Sequence, residues 1–247
     1  MKSDQIKKIV KSGYSKIAKE SNCCSKCSCG SKNDHDIAKA IGYSKEDINN
    51  ISEAEMGLGC GNPVAISSIK EGDVVLDLGS GAGFDAFLAA KKVGSTGKVI
   101  GVDMTEEMIT KATIIAAKHG YSNVEFKLAD IEKLPLEDNS IDIIISNCVI
   151  NLAPDKSKVF AESYRVLKSG GKMYISDIVL LEELSEEQKN DEKLITGCVA
   201  GAVLKEKYID IVRQAGFELK ILGENKDISK QQYQGIPLES LSLEISK

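Results

Sequence analysis

The stretch Val74 to Asp85, VVLDLGSGAGFD, with KVIGVDM at Lys98 to Met104 downstream, limits what this chain can fold into more than any other part of it. An apolar run opening on Val-Val, a glycine-rich turn and a segment beginning with Phe84 and Asp85 read as a buried parallel strand passing through a tight loop into a helix. Glycines at 79, 81 and 83 permit positive φ and bring the backbone close to a ligand. A second apolar strand ends at Asp103, where sheets of this kind place a carboxylate on two ribose hydroxyls. The loop, Gly79-Ser80-Gly81-Ala82-Gly83, lacks the G-x-G-x-x-G spacing that aims a helix N-terminus at a pyrophosphate. Asp77 beside the turn would repel a pyrophosphate and suit a cation. A nucleotide-like, cationic ligand is therefore expected at this loop.

At 247 residues the chain can bury one sizeable core, and no Gly/Ser- or Pro-rich linker divides it. The expected organisation is an N-terminal helical segment with a cysteine-rich loop over 1–55 and one larger domain over 56–247. A formal charge of −5, with no basic stripe, argues against nucleic acid as partner. No stretch is apolar for long enough to serve as a signal peptide or membrane span, so a soluble, cytoplasmic protein without membrane contact is expected. Seven cysteines in such a chain are expected as thiols, and their odd number leaves at least one unpaired under any disulfide scheme.

Taken in order, Gln5 to Lys19 carries a helical apolar stripe interrupted at Gly13, which predicts one or two short helices. Next comes SNCCSKCSCGS, with cysteines at 23, 24, 27 and 29 and no core-forming periodicity. A mobile thiol loop is one reading and a zinc knuckle the other. Cys24 and Cys27 have C-x-x-C spacing, but a second well-separated pair is missing. His35, in a polar setting, could join a metal site or simply be solvated. Asp36 to Asn50 predicts a second helix, and MGLGCGNP, with Cys60, a rigid irregular turn. Helices are predicted over Ala86–Val93 and from Thr105, as N-cap, to His119-Gly120. Further strands are predicted at Val124–Leu128, Ile141–Asn147 and Met173–Ile178, with a helix at Val159–Leu167 and a turn at Gly170-Gly171. Leu184–Ala202 reads as helical and Leu204–Ala215 as an amphipathic helix, before closing strands at Phe217–Leu222 and Leu241–Ile245. Alternating strands and helices of these lengths imply an α/β, doubly wound parallel sheet, with Gly79, Asp103, Asp130 and Asn147 on one ligand-binding rim.

The glycine loop resembles that of the S-adenosylmethionine methyltransferases, whose cosubstrate carries a sulfonium and an ammonium in place of phosphates. That resemblance implies a Rossmann-like, mostly parallel seven-stranded sheet with its last strand antiparallel. A closer resemblance runs from Met56 to about Leu204. MGLGCGNP, VLDLGSGAGFDAFLAA, VIGVDMTEEMI, SNCVINLAPDK, RVLKSGG, ISDIV and ITGCVAGA, in this order, are similar to the arsenite methyltransferase family, in its short microbial form. The three cysteine-bearing motifs discriminate, because the others are shared with methyltransferases at large. Ser15 and Ser169 depart from the family pattern away from the chemistry.

The resemblance implies that Cys60, Cys148 and Cys198 bind trivalent arsenic and that an upstream loop cysteine joins the thiol chemistry. Cys23, Cys24, Cys27 and Cys29 all compete for that last part, with Cys24 the working choice. An external thiol reductant such as thioredoxin or glutathione is implied as well, and a monomer is expected. For the cofactor, Asp103 is expected on the ribose, and Asp130, Ile131 and Glu132 on the adenine edge with Met104 on its face. Asp77, Gly79, Ser80, Gly81 and Asn147 are expected around the methionyl part. Asp130 and Glu132 read equally well as solvated loop acids, and Met104 as ordinary core.

From the residues alone, Cys148 directly follows a strand end on the ligand rim, and Cys198 sits among small residues. Taken singly, each reads as a small buried hydrophobe. A soft thiophilic ion changes that reading, because thiolates favour soft centres. A sulfonium nearby would favour the anionic form of such thiols. Two other functions stay open: methylation of a small organic acceptor, which has no need of three distant cysteines, and thiol-based arsenite binding without turnover.

Overall fold

A computed structural model of the chain describes residues 1–20, 32–233 and 235–247. The loop cysteines 23, 24, 27 and 29 fall outside the described residues, as does any test of the zinc alternative.

Three helices come first, α1 (Ser3–Glu20), α2 (Lys32–Ala40) and α3 (Lys45–Asn50), then the single turn α4 (Pro63–Ile66). The α/β part runs β1 (Val74–Leu78), α5 (Phe84–Val93), β2 (Lys98–Asp103), α6 (Glu106–His119), β3 (Val124–Leu128), β4 (Ile141–Asn147), a 3-10 turn at Ile150–Leu152, α7 (Lys156–Val166) and β5 (Leu167–Leu180). It closes with α8 (Glu186–Lys189), α9 (Glu192–Thr196), α10 (Lys205–Gln214), β6 (Glu218–Asn225), α11 (Ile228–Gln232) and β7 (Leu238–Ser246). The sheet has seven strands in the order β3-β2-β1-β4-β5-β7-β6, parallel except that β7 runs antiparallel to both of its neighbours. The expected doubly wound sheet is therefore present.

Both faces of the central strands are covered, which is why β1 and β4 read as unbroken apolar runs. Val75, Ile143 and Ile145 point into a core shared with α5, whereas Leu76, Leu78, Ile141 and Ile144 point the other way into a core shared with α7 and α10. Chain order reverses between β1 and β4, and the loops leaving those two strands part there to leave a crevice. Helices α1 to α3 add Val10, Ala38 and Ile48 to the α5-side core, and the turn after α2 adds Ile41.

Several local expectations are corrected. Gly13 does not interrupt α1; a Cβ there would lie 2.6 Å from Thr196 Cγ2, so the glycine lets α1 seat against α9. The stretch 36–50 is two helices, parted by Gly42 at φ 102° and restarted by a Ser44–Asp47 capping box. Thr105 occupies an N-cap position, yet its side chain makes no capping bond. Gly170 and Gly171 lie inside β5, where the register with β4 shifts. Leu184–Ala202 is two short helices, not one, and Cys198 stands after them at φ 65°. Among the described residues no helix is long and apolar enough to cross a membrane.

Candidate functional site

The crevice beyond β1 and β4 is a cavity whose lining includes Asp77, Gly79, Ser80, Gly81, Asp103, Met104, Asp130, Ile131, Asn147 and Cys148. All but one of the residues expected around the cofactor are thus brought together. The exception is Glu132. Its carboxylate accepts from Lys7 Nζ at 2.6 Å and from the Asp155 N–H at 2.9 Å, and it is not part of the lining. Its neighbour Asp130 shares the same lysine at 2.6 Å. Helix α1 accordingly closes over the crevice, contributing Lys7, Val10 and Tyr14 at successive turns. That face has helical spacing in the sequence, but nothing in the spacing told which surface it would cover.

The cavity is acidic and poor in internal compensation. Asp77, Asp85 and Asp103 all line it. Asp103 accepts the N–H groups of Gly81 at 3.0 Å and Thr105 at 2.8 Å, which fixes both its oxygens. Asp77 Oδ2 and Ser80 Oγ are buried with no hydrogen-bond partner among the described residues. Burial, followed by the charges of Asp85 and Asp103, pushes the Asp77 carboxyl well up from its ordinary range. Burial lifts Asp85 to about 6, against hydrogen bonds from Tyr43 and Asn147 that favour its anion. Such a set of carboxyls is stabilised by a cation and destabilised by an anion. Asp85 and Tyr43 were not singled out by sequence reasoning. An acid in the first turn of a helix normally faces water near the dipole, and only the fold shows this one turned inward.

The thiols converge at the other end of the crevice. Cys60, Cys148 and Cys198 are each no more than 3 % exposed, and all three are free. Cys60 Sγ, Cys148 Sγ and a carboxylate oxygen of Asp177 lie within 4.8 Å of one another. Cys198 Sγ donates to Cys148 O at 2.6 Å, and Cys60 Sγ to Ser176 O at 3.2 Å. Only Cys148 belongs to the cavity lining, so Cys60 and Cys198 flank it from behind the wall. Cys148 and Cys198 adopt φ of 57° and 65°, a left-handed conformation that non-glycine residues rarely take. Two phenols stand over the cluster, Tyr14 OH at 3.8 Å from Cys198 Sγ and Tyr233 OH at 3.9 Å from Cys148 Sγ.

Without a cation nearby these groups are held as thiols. Burial pushes Cys60 up from its ordinary value. At Cys198 the hydrogen bond to Cys148 does so first and burial second. At Cys148 the hydrogen bond from Cys198 favours the anion, but Cys60 and burial outweigh it. Asp177 lies behind them, its oxygens already taken by Asn151 Nδ2 at 2.9 Å, the Ile178 N–H at 3.0 Å and Tyr208 OH at 3.0 Å. Sequence reasoning missed Asp177 because an acid inside a strand gives no signal of what lies opposite it.

A profile of the methyltransferase domain family matches residues 69–216. The chain is similar to an arsenite methyltransferase of Halobacterium salinarum, 42% identical over 226 residues, spanning 87% of this chain and 58% of that protein. It is 38% identical to an arsenite methyltransferase of Homo sapiens over 187 residues, or 71% of this chain and 49% of the human one. Among solved structures it resembles an arsenic(III) S-adenosylmethionine methyltransferase from Chlamydomonas reinhardtii, with a TM-score of 0.65 and 35% identity, covering 85% of this chain and 72% of that one. The chain spans about half to three fifths of the length of the curated arsenite methyltransferases it matches.

Proposed function

The chain belongs to the arsenite methyltransferase family, and on that premise we propose that it transfers the methyl group of S-adenosylmethionine to trivalent arsenic held by Cys60, Cys148 and Cys198. The observation that carries this reading is the convergence of three buried thiols from distant segments, one of them on the wall of an acid-lined cavity. Methylation of an organic acceptor gives no reason for that convergence.

The cavity fits the cosubstrate. A molecule bearing a sulfonium and an ammonium meets the unpartnered Asp77 Oδ2 and relieves the repulsion among Asp77, Asp85 and Asp103. In this reading Asp103 takes the ribose diol, Asp130 and Ile131 the adenine edge, and Met104 its face. Asp77, Gly79, Ser80 and Gly81 surround the methionyl part. When bound, S-adenosylmethionine supplies a sulfonium methyl as electrophile for the arsenic lone pair and leaves as S-adenosylhomocysteine.

The protein's own residues do the rest by holding arsenic. Arsenous acid and three thiols give a trithioarsenite and three waters, so each departing hydroxide leaves with a thiol proton. Protonated thiols therefore suffice and no general base is needed. The gain comes from alignment, a contribution that reaches roughly 7 to 11 kcal/mol when reacting groups are well oriented. Cys24, outside the described residues, stands in this reading as the upstream thiol. Methyl transfer leaves a cationic arsenic(V) centre. Attack by the Cys24 thiolate on one arsenic-bound cysteine sulfur breaks that As–S bond, forms a disulfide and returns the electron pair to arsenic, leaving monomethylarsenite on two cysteines. An external reductant such as thioredoxin or glutathione reduces the disulfide.

The test is transfer of labelled methyl from S-adenosylmethionine to arsenite in the presence of a thiol reductant. Arsenite bound by the thiols without any transfer would leave only a sequestering protein. Valence counting adds a second arm. Inorganic arsenite has three places for sulfur and monomethylarsenite two, so Cys60→Ser should lose most methylation of the first and keep methylating the second through Cys148 and Cys198. Equal losses on both substrates would reduce Cys60 to a packing residue.

A further inference from the structure

Asn147 ends β4, and its sequence position suggested contact with the methionyl part of the cofactor. The amide is occupied otherwise. Its Oδ1 accepts the Cys60 N–H at 3.0 Å, and its Nδ2 donates to the carbonyl of Gly61 at 2.8 Å. The same nitrogen reaches Tyr43 OH at 2.9 Å and Asp85 Oδ2 at 3.1 Å, while Tyr43 OH donates to Asp85 Oδ1 at 2.6 Å. One side chain thus grips the backbone on both sides of the first thiol, and the next residue along its own chain is the second thiol, Cys148.

The glycines around Cys60 follow from this grip. A Cβ on Gly59 would lie 2.8 Å from Asn147 Nδ2, and a Cβ on Gly61 would lie 2.5 Å from Ser176 Cβ, so neither position admits a side chain without displacing the partner. Ser240 Oγ holds the remaining group, donating to Cys60 O at 2.7 Å. The Cys60 side chain donates to Ser176 O at 3.2 Å. The bonds from Asn147 and Ser240 hold it beside Cys148 through its backbone. Only a group that donates and accepts at once can bridge an N–H and a carbonyl, which an amide does and a carboxylate does not.

We propose that Asn147 is the positioning residue that sets Cys60 against Cys148 and so completes the three-sulfur site for inorganic arsenite. It thereby decides between inorganic and methylated arsenicals without touching arsenic. Because the same amide is tied to Asp85 on the cavity wall, Cys60 is held in register with the cofactor end of the crevice. This inference rests on the arsenic-binding role of the three cysteines.

X-ray absorption at the arsenic edge, on the full chain loaded with arsenite and without cosubstrate, counts sulfurs directly. Wild type should give three sulfurs per arsenic. Asn147→Ala should give two sulfurs and one oxygen. Gly59→Ala, which pushes on the amide from the opposite side, should do the same and serves where Asn147→Ala does not fold. In both variants the rate on inorganic arsenite relative to monomethylarsenite should fall about tenfold or more, as in Cys60→Ser. Three sulfurs retained in a folded variant, or parallel losses on the two substrates, would overturn the positioning role. Fewer than three sulfurs in wild type would instead overturn the arsenic reading itself, and this inference with it.

Discussion

The two ends of the crevice are built in opposite ways. The proposed cofactor end is a local product of two neighbouring strands and the glycine loop, with Asp77, Gly79, Ser80 and Gly81 within five residues and Asp103 at the end of the second strand. The thiol end gathers Cys60 from before the sheet, Cys148 from the end of β4 and Cys198 from the turn after α9. Each cysteine there is held by backbone: Cys60 by Asn147 and Ser240, Cys148 and Cys198 by left-handed φ. A site made of contiguous residues is fixed as soon as its strand and loop form, whereas one made of three segments depends on every contact between them. Damage to distant packing should therefore reach the thiols before it reaches the cofactor.

The largest effect expected is at the thiols proposed to serve both substrates. Cys148→Ser and Cys198→Ser should each lower methylation of arsenite and of monomethylarsenite by about a hundredfold or more, with thermal melts near wild type because serine nearly conserves volume. Retained activity in either variant would break the comparison by showing that the thiol end is not where arsenic sits.

Asp103→Ala comes next and probes the local end. Hydrogen bonds to a charged group contribute about 1.5 to 3 kcal/mol each, so losing two should weaken S-adenosylmethionine binding sharply while leaving the arsenic sulfur count unchanged. Calorimetry showing unaltered affinity would mean that the cofactor lies elsewhere.

Asp177 tests whether the thiol end is tuned from behind. Burial lifts its carboxyl to about 7, against the opposing pull of Lys156, whereas an unfolded aspartate titrates near 3.9. Between those pH values the folded chain keeps a proton that the unfolded chain has lost, so this group's contribution to stability falls as pH rises through that window. Asp177→Asn should therefore shrink the drop in Tm between about pH 5 and about pH 7.5, and an identical drop in wild type and variant would count against a buried, neutral Asp177.

The smallest effect concerns the seat of α1 against α9. Alanine for Gly13 should help an isolated helix by up to about 1 kcal/mol, but its Cβ meets Thr196 Cγ2, and overpacking of that kind costs about 1 to 3 kcal/mol. Gly13→Ala should destabilise modestly, and Thr196→Ser, which removes the colliding methyl, should restore it. If Gly13→Ala alone raises Tm, α1 is not seated against α9, and Tyr14 is not held over Cys198.

The sequence by itself determined the sheet and its rim. Period and composition place β1, β3 and β4, the glycine loop needs no distant partner to declare its conformation, and an acid ending a strand beside that loop can point only to the same edge. What tertiary structure alone decided were the residues whose role depends on what comes to lie opposite them. Glycine at 13 reads as a helix breaker until Thr196 is set against it, and Asp85 stands out only once Tyr43 and Asn147 turn it inward. Cys198 reads as a helical core residue until the turn after α9 gives it positive φ. Asn147 reads as a cofactor neighbour, and nothing in its position tells that the Cys60 loop, 87 residues earlier, folds across its amide. Local periodicity reports which face of an element is buried. It carries no record of which segment does the burying, because that choice is made by packing between residues that never meet in the chain.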